Sequence, residues 1–292
     1  MKYIHGISSE VIKMEKMTRG TFQTGDSVIE YEKVGEGKPI LMLHGWSVDR
    51  ELMKGCMEPL FATIPGKYLR IYPDLPGMGA SKAAPSIHNS DQMLDAIFAF
   101  VDRIVPGQQI LLAGESYGCF LVRGFVHSRP GSVDGLMLIC PSVIPGAARG
   151  EVAELRALRT DDAFFAGIAE EEKSSFLSFH AVRTPEVYER YKRDIEPAFS
   201  RFDHDFLEKR LDGAFSYPLE KLPVPFDKPS LILAGRQDPC VGYKDPFRLT
   251  DDYTRATFAA LDMAGHNLQI EQKELFEALT ADWLKRVECE GR

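Results

Sequence analysis

Long apolar runs, basic clusters and paired cysteines are all missing from this 292-residue chain. No stretch approaches the roughly 20 apolar residues needed to cross a bilayer, so no membrane partner is expected. Lys and Arg total 35 against 43 Asp and Glu, a net charge of −8. The basic residues form no block of the kind that tracks nucleic-acid phosphates, so no nucleic-acid partner is expected either. Cys56, Cys119, Cys140, Cys240 and Cys289 are odd in number, widely spaced and free of any Cys-x-x-Cys. That pattern favours reduced, mostly buried thiols over disulfides. Cys119 and Cys240 lie close in sequence to candidate site residues, where oxidation would be felt. The opening residues, Met1 to Gly6, carry no charged segment followed by an apolar stretch of about 7–15 residues, and a cytoplasmic location is expected. Neither the dinucleotide fingerprint nor the P-loop pattern occurs, and no metal-ligand spacing is present, so no cofactor or metal is implied.

What the chain does have is an ordinary globular balance, 44% hydrophobic and 27% charged residues, with length for one large domain carrying an insertion. Short strand-like runs recur: Pro39 to Leu43, Tyr68 to Tyr72 with Arg70 at its centre, Ile110 to Ala113, Leu136 to Cys140, Ser230 to Ala234 and Thr257 to Leu261. Fully apolar strands of this length suit the middle of a parallel sheet. Between them lie amphipathic stretches, such as Met93, Leu94, Ile97, Phe98, Val101 and Ile104, with Ser90 a candidate N-cap. A closing helix is expected to bury Leu275, Leu279, Trp283 and Val287 on one face. Thr21 to Val34 reads as a hairpin turning at Thr24-Gly25-Asp26, preceded by a partly helical lead-in over residues 1–19. The alternation predicts an α/β fold, a mostly parallel twisted sheet with helices on both faces. About 90 residues separate Cys140 from Ser230, where a parallel crossover takes a dozen or more. This stretch predicts a helical cap, giving a core of residues 1–141 and 229–292 with a cap of 142–228. The aromatic residues of that insertion, from Phe164 to Tyr217, are expected mostly in its own core, with a minority roofing the site.

The most informative segment is Ile110 to Gly118, an apolar run ending in Gly114-Glu-Ser-Tyr-Gly118 with a helical pattern at once behind it. The order strand, sharp turn, helix is the setting in which a serine becomes a nucleophile. A hydroxyl is a weak nucleophile at neutral pH, so Ser116 requires a base and the base requires an orienting group. Ligands of open α/β sheets bind at the carboxyl ends of strands. Just past two of the predicted strands come Asp238 and His266. Asp238 also suits a turn or cap, and Asp262 is a rival acid. His44 suits a structural brace for its loop, Asp74 a tie between loops. Glu115 suggests an exposed turn residue or a weak polar contact. Trp46 and Tyr117 suit either the pocket lining or simple packing.

These residues resemble the α/β-hydrolase fold superfamily in its capped branch. The resemblance runs from about Thr21 to Lys285 through His44-Gly45-Trp46, Asp74 to Ser81, Gly114 to Gly118, Gly235 to Pro239 and Gly265-His266. It implies a catalytic triad of Ser116, Asp238 and His266, with backbone N–H groups of Trp46 and Tyr117 as the oxyanion hole. Cys119 departs from the family, where a second glycine is usual. The implied function is a serine hydrolase working through an acyl-enzyme on a small, largely apolar ester, thioester or activated C–C bond. A cofactor-free lyase or perhydrolase, or a ligand receptor on the same fold, are the alternatives. A serine nucleophile argues against haloalkane dehalogenases and epoxide hydrolases, which use aspartate. The partner expected is a small-molecule substrate; oligomeric state is left open.

Overall fold

A computed structural model describes residues 15–64, 67–144, 151–152, 154–219 and 221–290. The chain opens with an antiparallel hairpin, β1 (Met17–Thr24) and β2 (Ser27–Val34), followed by β3 (Lys38–Leu43), α1 (Arg50–Phe61) and β4 (Tyr68–Pro73). Next come α2 (Ser90–Ile104), β5 (Ile110–Glu115), α3 (Tyr117–Ser128) and β6 (Val133–Ile139). Between β6 and the next sheet strand lie β7 (Arg159–Thr160), α4 (Asp162–Ala166), α5 (Glu170–Leu177), β8 (Val182–Arg183) and α6 (Pro185–Asp194). The chain closes through β9 (Ser230–Gly235), α7 (Lys244–Arg248), β10 (Ala256–Leu261), α8 (Leu268–Glu271) and α9 (Lys273–Glu290).

Eight strands form one sheet in the order β1-β2-β4-β3-β5-β6-β9-β10. From β4 onward neighbours pair in parallel, while β2 joins β4 antiparallel. The central strands are apolar on both faces because helices cover both. On one face Leu41, Leu43 and Leu112 pack with Met93, Ile97, Leu121 and Phe125 of α2 and α3. On the other, Ile40, Met42 and Ala113 pack with Met53, Met57, Phe276 and Trp283 of α1 and α9. Order reverses at β3: the chain leaves it for β4 on one side and returns to β5 on the other. Such a switch point opens a crevice at the carboxyl ends of the strands. The loops after β3 and β5 carry Trp46 and Ser116.

Several expectations are corrected in detail. Residues 17–19 belong to β1 rather than a helical lead-in, and residues 1–14 lie outside the described residues. Asn89, not Ser90, is the N-cap of α2; its side chain accepts from Asp91 and Gln92, whose own side chain returns the bond to Asn89. Ser90 is freed to bond the Tyr117 hydroxyl at 2.9 Å. Leu275 is 45% exposed. The buried face of α9 is Phe276, Thr280, Trp283, Leu284 and Val287, set by docking on the sheet. Cys140 lies just past β6 with φ +43°.

Among its described residues the stretch between β6 and β9 holds the short helices α4, α5 and α6 and the two-stranded parallel pair β7–β8. Its aromatic residues mostly fill its own interior: Phe165, Phe176, Tyr188 and Tyr191 are buried against one another. Arg123 of α3 holds both stems of this stretch. Its guanidinium, 1% exposed, donates to the carbonyls of Ser142 and Val143 at the start and of Leu219 near the end.

Candidate active site

The turn between β5 and α3 is made by what its glycines lack. A Cβ on Gly114 would strike the Cys119 nitrogen at 2.6 Å, and one on Gly118 would strike the backbone of Leu43 and His44. With both bare, α3 starts directly beneath β3 and the intervening Ser116 is held at φ 49°, ψ −113°. A non-glycine residue there is strained by about 1–3 kcal/mol and persists because its surroundings fix it. The Ser116 N–H donates to Ile139 O at 2.9 Å and its carbonyl accepts from Cys119 N at 3.0 Å. Cys119 fits where a glycine was expected, since its thiol turns inward to the carbonyls of Gly114 and Ile139 at 3.0 and 3.3 Å.

Three residues separated by 122 and 28 positions meet at this rim of the sheet. His266 Nε2 lies 3.1 Å from Ser116 Oγ, and His266 Nδ1 lies 2.9 Å from Asp238 Oδ2. Asp238 is fully buried and divides its two oxygens. Oδ2 faces the imidazole, while Oδ1 accepts from the backbone of Cys240 and Val241 at 2.7 and 3.1 Å. One carboxylate thus both caps its own turn and meets the imidazole. Asp262 instead accepts from Gln237 at 2.8 Å. Burial of His266 opposes its charge, but the adjoining Asp238 carboxylate outweighs it, helped by Cys240 and Cys140. The imidazole is held well above its ordinary 6.5.

Trp46 and Tyr117 stand together with ring centroids 5.0 Å apart, edge to face, and both border the cavity that contains Ser116. Tyr117 is the first residue of α3, so its N–H has no acceptor within the helix. The loop bearing Trp46 is braced by His44, whose Nδ1 meets Gly45 O at 2.8 Å and whose Nε2 accepts from Leu75 N at 2.9 Å. Asp74 ties the same region together, accepting from the Arg50 and Ala80 backbones and from the Arg50 guanidinium. The cavity is about 370 Å³, bordered among the described residues by Trp46, Tyr117, Phe120, Ser142 and Leu211, with Asp212 and Gly213 at its edge. Phe120 also walls a second cavity of about 240 Å³ whose aromatic lining is Phe215 and Tyr217.

Two carboxyls were not legible as site residues. Glu115 is 2% exposed, not an exposed turn residue, and its Oε1 lies 3.5 Å from His266 Nε2. Glu271 joins the histidine loop to the stretch between β6 and β9. Its Oε2 accepts from Gly265 N at 2.7 Å and its Oε1 from Ala181 and Val182 N at 2.6 and 2.9 Å. The His266 N–H donates across the same boundary to Phe179 O at 3.1 Å. Glu271 carries no sequence signal beyond its place five residues after His266. Among the described residues, Cys140, Asp238 and His266 are close enough to share a metal ion. Here those atoms are engaged otherwise: Asp238 and His266 bond each other, and the Cys140 thiol donates to Gly265 O at 3.7 Å. No disulfide joins any of the five cysteines, and Cys56, Cys119 and Cys140 are buried. Among the described residues no helix is long and apolar enough to cross a membrane.

A sequence profile of the alpha/beta hydrolase fold matches residues 38–273, and the chain belongs to that family. It is 21% identical over 271 residues to the pimeloyl-[acyl-carrier protein] methyl ester esterase of Legionella pneumophila (strain Corby), covering 88% of this chain and 99% of that protein. It is 25% identical over 277 residues to the 2-hydroxymuconate semialdehyde hydrolase of Pseudomonas sp. (strain CF600), covering 87% and 89% of the two chains. Among solved structures, an alpha/beta superfamily hydrolase from Oenococcus oeni PSU-1 matches with a TM-score of 0.80 at 28% identity, over 89% of this chain and 96% of that one.

Proposed function

We propose that the chain is a serine hydrolase that cleaves a small, largely apolar, uncharged ester through an acyl-enzyme on Ser116. The observation that carries this reading is the unbroken line Ser116 Oγ, His266 Nε2, His266 Nδ1, Asp238 Oδ2, at 3.1 and 2.9 Å. It opens into a cavity. In this reading Ser116 Oγ attacks the ester carbonyl as its proton passes to His266 Nε2. The carbonyl π pair moves onto oxygen, where the N–H groups of Trp46 and Tyr117 receive it; each such donor is worth about 3–4 kcal/mol in the transition state. His266 then gives its proton to the departing alkoxide, and the C–O bond breaks. Water, giving a proton to the same imidazole, then adds to the acyl carbon; the C–Oγ bond breaks, His266 returns the proton to Ser116 Oγ, and the acid leaves. Asp238 fixes the imidazole tautomer and offsets its charge.

The substrate class follows from the walls. Trp46, Tyr117, Phe120 and Leu211 favour apolar groups, and the described lining residues include no cationic side chain to pair with an anion. We assign residues 142–228 as the cap, because Leu211, Asp212 and Gly213 border the cavity and Phe179 holds the histidine backbone. The 2-hydroxymuconate semialdehyde hydrolase relative keeps C–C bond cleavage as the second reading. The deciding experiment is turnover of p-nitrophenyl acetate and butyrate by the unaltered protein and by Ser116→Ala. The substitution should cost about 10⁴-fold or more in kcat while leaving the melting temperature nearly unchanged, since it removes one half-buried hydroxyl and keeps the backbone bonds of the turn. Equal rates in the two proteins would remove Ser116 from the chemistry.

A further inference from the structure

Glu115 occupies an unusual position for a side chain that the triad does not employ. It ends β5 one residue before Ser116, its carboxyl is almost wholly buried, and its two oxygens face different partners. Oε1 lies 3.5 Å from His266 Nε2, the same nitrogen that lies 3.1 Å from Ser116 Oγ. Oε2 fills the space where a Gly45 side chain would stand, against the loop that carries Trp46. A bulkier residue at 45 would evict it.

We infer that Glu115 is a positioning and charge-balancing residue of the site: it props the Gly45–Trp46 loop beside Ser116, and its carboxylate stabilises the His266 imidazolium formed when Ser116 gives up its proton. The inference rests on the proton transfer proposed above. Only one proton moves, from Ser116 Oγ to His266 Nε2; Glu115 changes the energy of the product cation and exchanges no proton itself. An opposite charge this close favours the charged imidazole, just as the imidazolium favours the carboxylate. Burial pushes the Glu115 carboxyl up to about 7; Asp238 adds to that shift, while His266 and the Gly45 N–H oppose it. The remaining groups that face it are the thiols of Cys56 on α1, Cys119 on α3 and Cys140 after β6. Burial keeps all three protonated, and the Glu115 charge reinforces this. Above that midpoint of about 7 the carboxylate at 115 is set against the His266 cation.

The experiment is an NMR titration of the His266 imidazole in histidine-labelled protein, unaltered and Glu115→Gln, without substrate. Glutamine keeps the shape and the prop but not the charge. The His266 midpoint should fall by about one pH unit in the variant, and the acid limb of kcat/KM for p-nitrophenyl acetate should move with it. In the unaltered protein the same signal should show an inflection near pH 7 as Glu115 ionises. kcat in Glu115→Gln should drop about tenfold at little change in KM, one pKa unit being a factor of ten. Glu115→Ala, which also loses the prop, should fall about a hundredfold, and glutamine should recover the difference. A folded Glu115→Gln protein with an unmoved His266 midpoint, or an unaltered protein with no inflection, overturns the inference. A shifted midpoint in a protein whose Ser116 resists every ester and phosphonate would instead overturn the hydrolase reading and support the charge coupling.

Discussion

At the scale of single residues the site is a problem of proton affinity. In the proposed mechanism His266 must be neutral to accept the Ser116 proton, yet Asp238 holds its imidazole well above 6.5. Activity should therefore rise with pH along a limb whose midpoint lies above 6.5, measured as kcat/KM against pH; a midpoint below 6.5 would contradict the assignment of base and acid. Asp238→Asn should lower kcat by about 10⁴-fold through loss of the correct tautomer and of charge compensation. Circular dichroism should show the fold kept, because asparagine can still accept from Cys240 and Val241. Asp238 was legible because it follows a strand in a Gly-Arg-Gln-Asp-Pro turn. Glu115 was not, because position alone does not say whether a side chain at the end of a strand turns outward or folds back under a neighbouring loop.

At the scale of elements, the strands were legible wherever an apolar run was short and bounded, and the strand-turn-helix around Ser116 was legible from its glycines. What could not be read was set by docking rather than by local pattern. Asn89 and Ser90 are both good caps, and contact of Ser90 with Tyr117 decides between them. Leu275 fits the spacing of a buried face, yet α9 docks through Trp283, whose indole is fully buried and donates to Pro229 O at 3.0 Å. Trp283→Ala should cost about 3–5 kcal/mol of stability, measured by urea unfolding. The two-residue strands β7 and β8 are too short to leave any period. Arg123 joins both stems of the proposed cap. Arg123→Met should therefore speed proteolytic cleavage within residues 142–228 and raise KM, with kcat on p-nitrophenyl acetate nearly kept. An unchanged cleavage pattern would remove the clamp from the account.

Taken as a whole, the molecule carries buried titratable groups of opposing sign. Burial raises Glu115 and Glu271 to about 7 each, and burial lowers His180 to about 3. A carboxyl raised on folding contributes stability below its unfolded value, here 4.5, and loses it as pH rises through 7. A lowered histidine contributes above 6.5 and loses it as pH falls toward 3. Glu115→Gln should accordingly melt higher than the unaltered protein at pH 8, by up to about 3 kcal/mol in stability, with the gap closing by pH 4.5. A gap that stays constant with pH would mean that no charge is being buried at 115.

The whole account depends on one oxygen atom being nucleophilic. Treatment with a fluorophosphonate, followed by peptide mass spectrometry, reads this directly. The account predicts a single phosphonyl adduct on Ser116 in the unaltered protein, and its loss or severe slowing in His266→Ala. A folded, unaltered protein that gains no mass at Ser116, or one labelled equally fast without the imidazole, would contradict it.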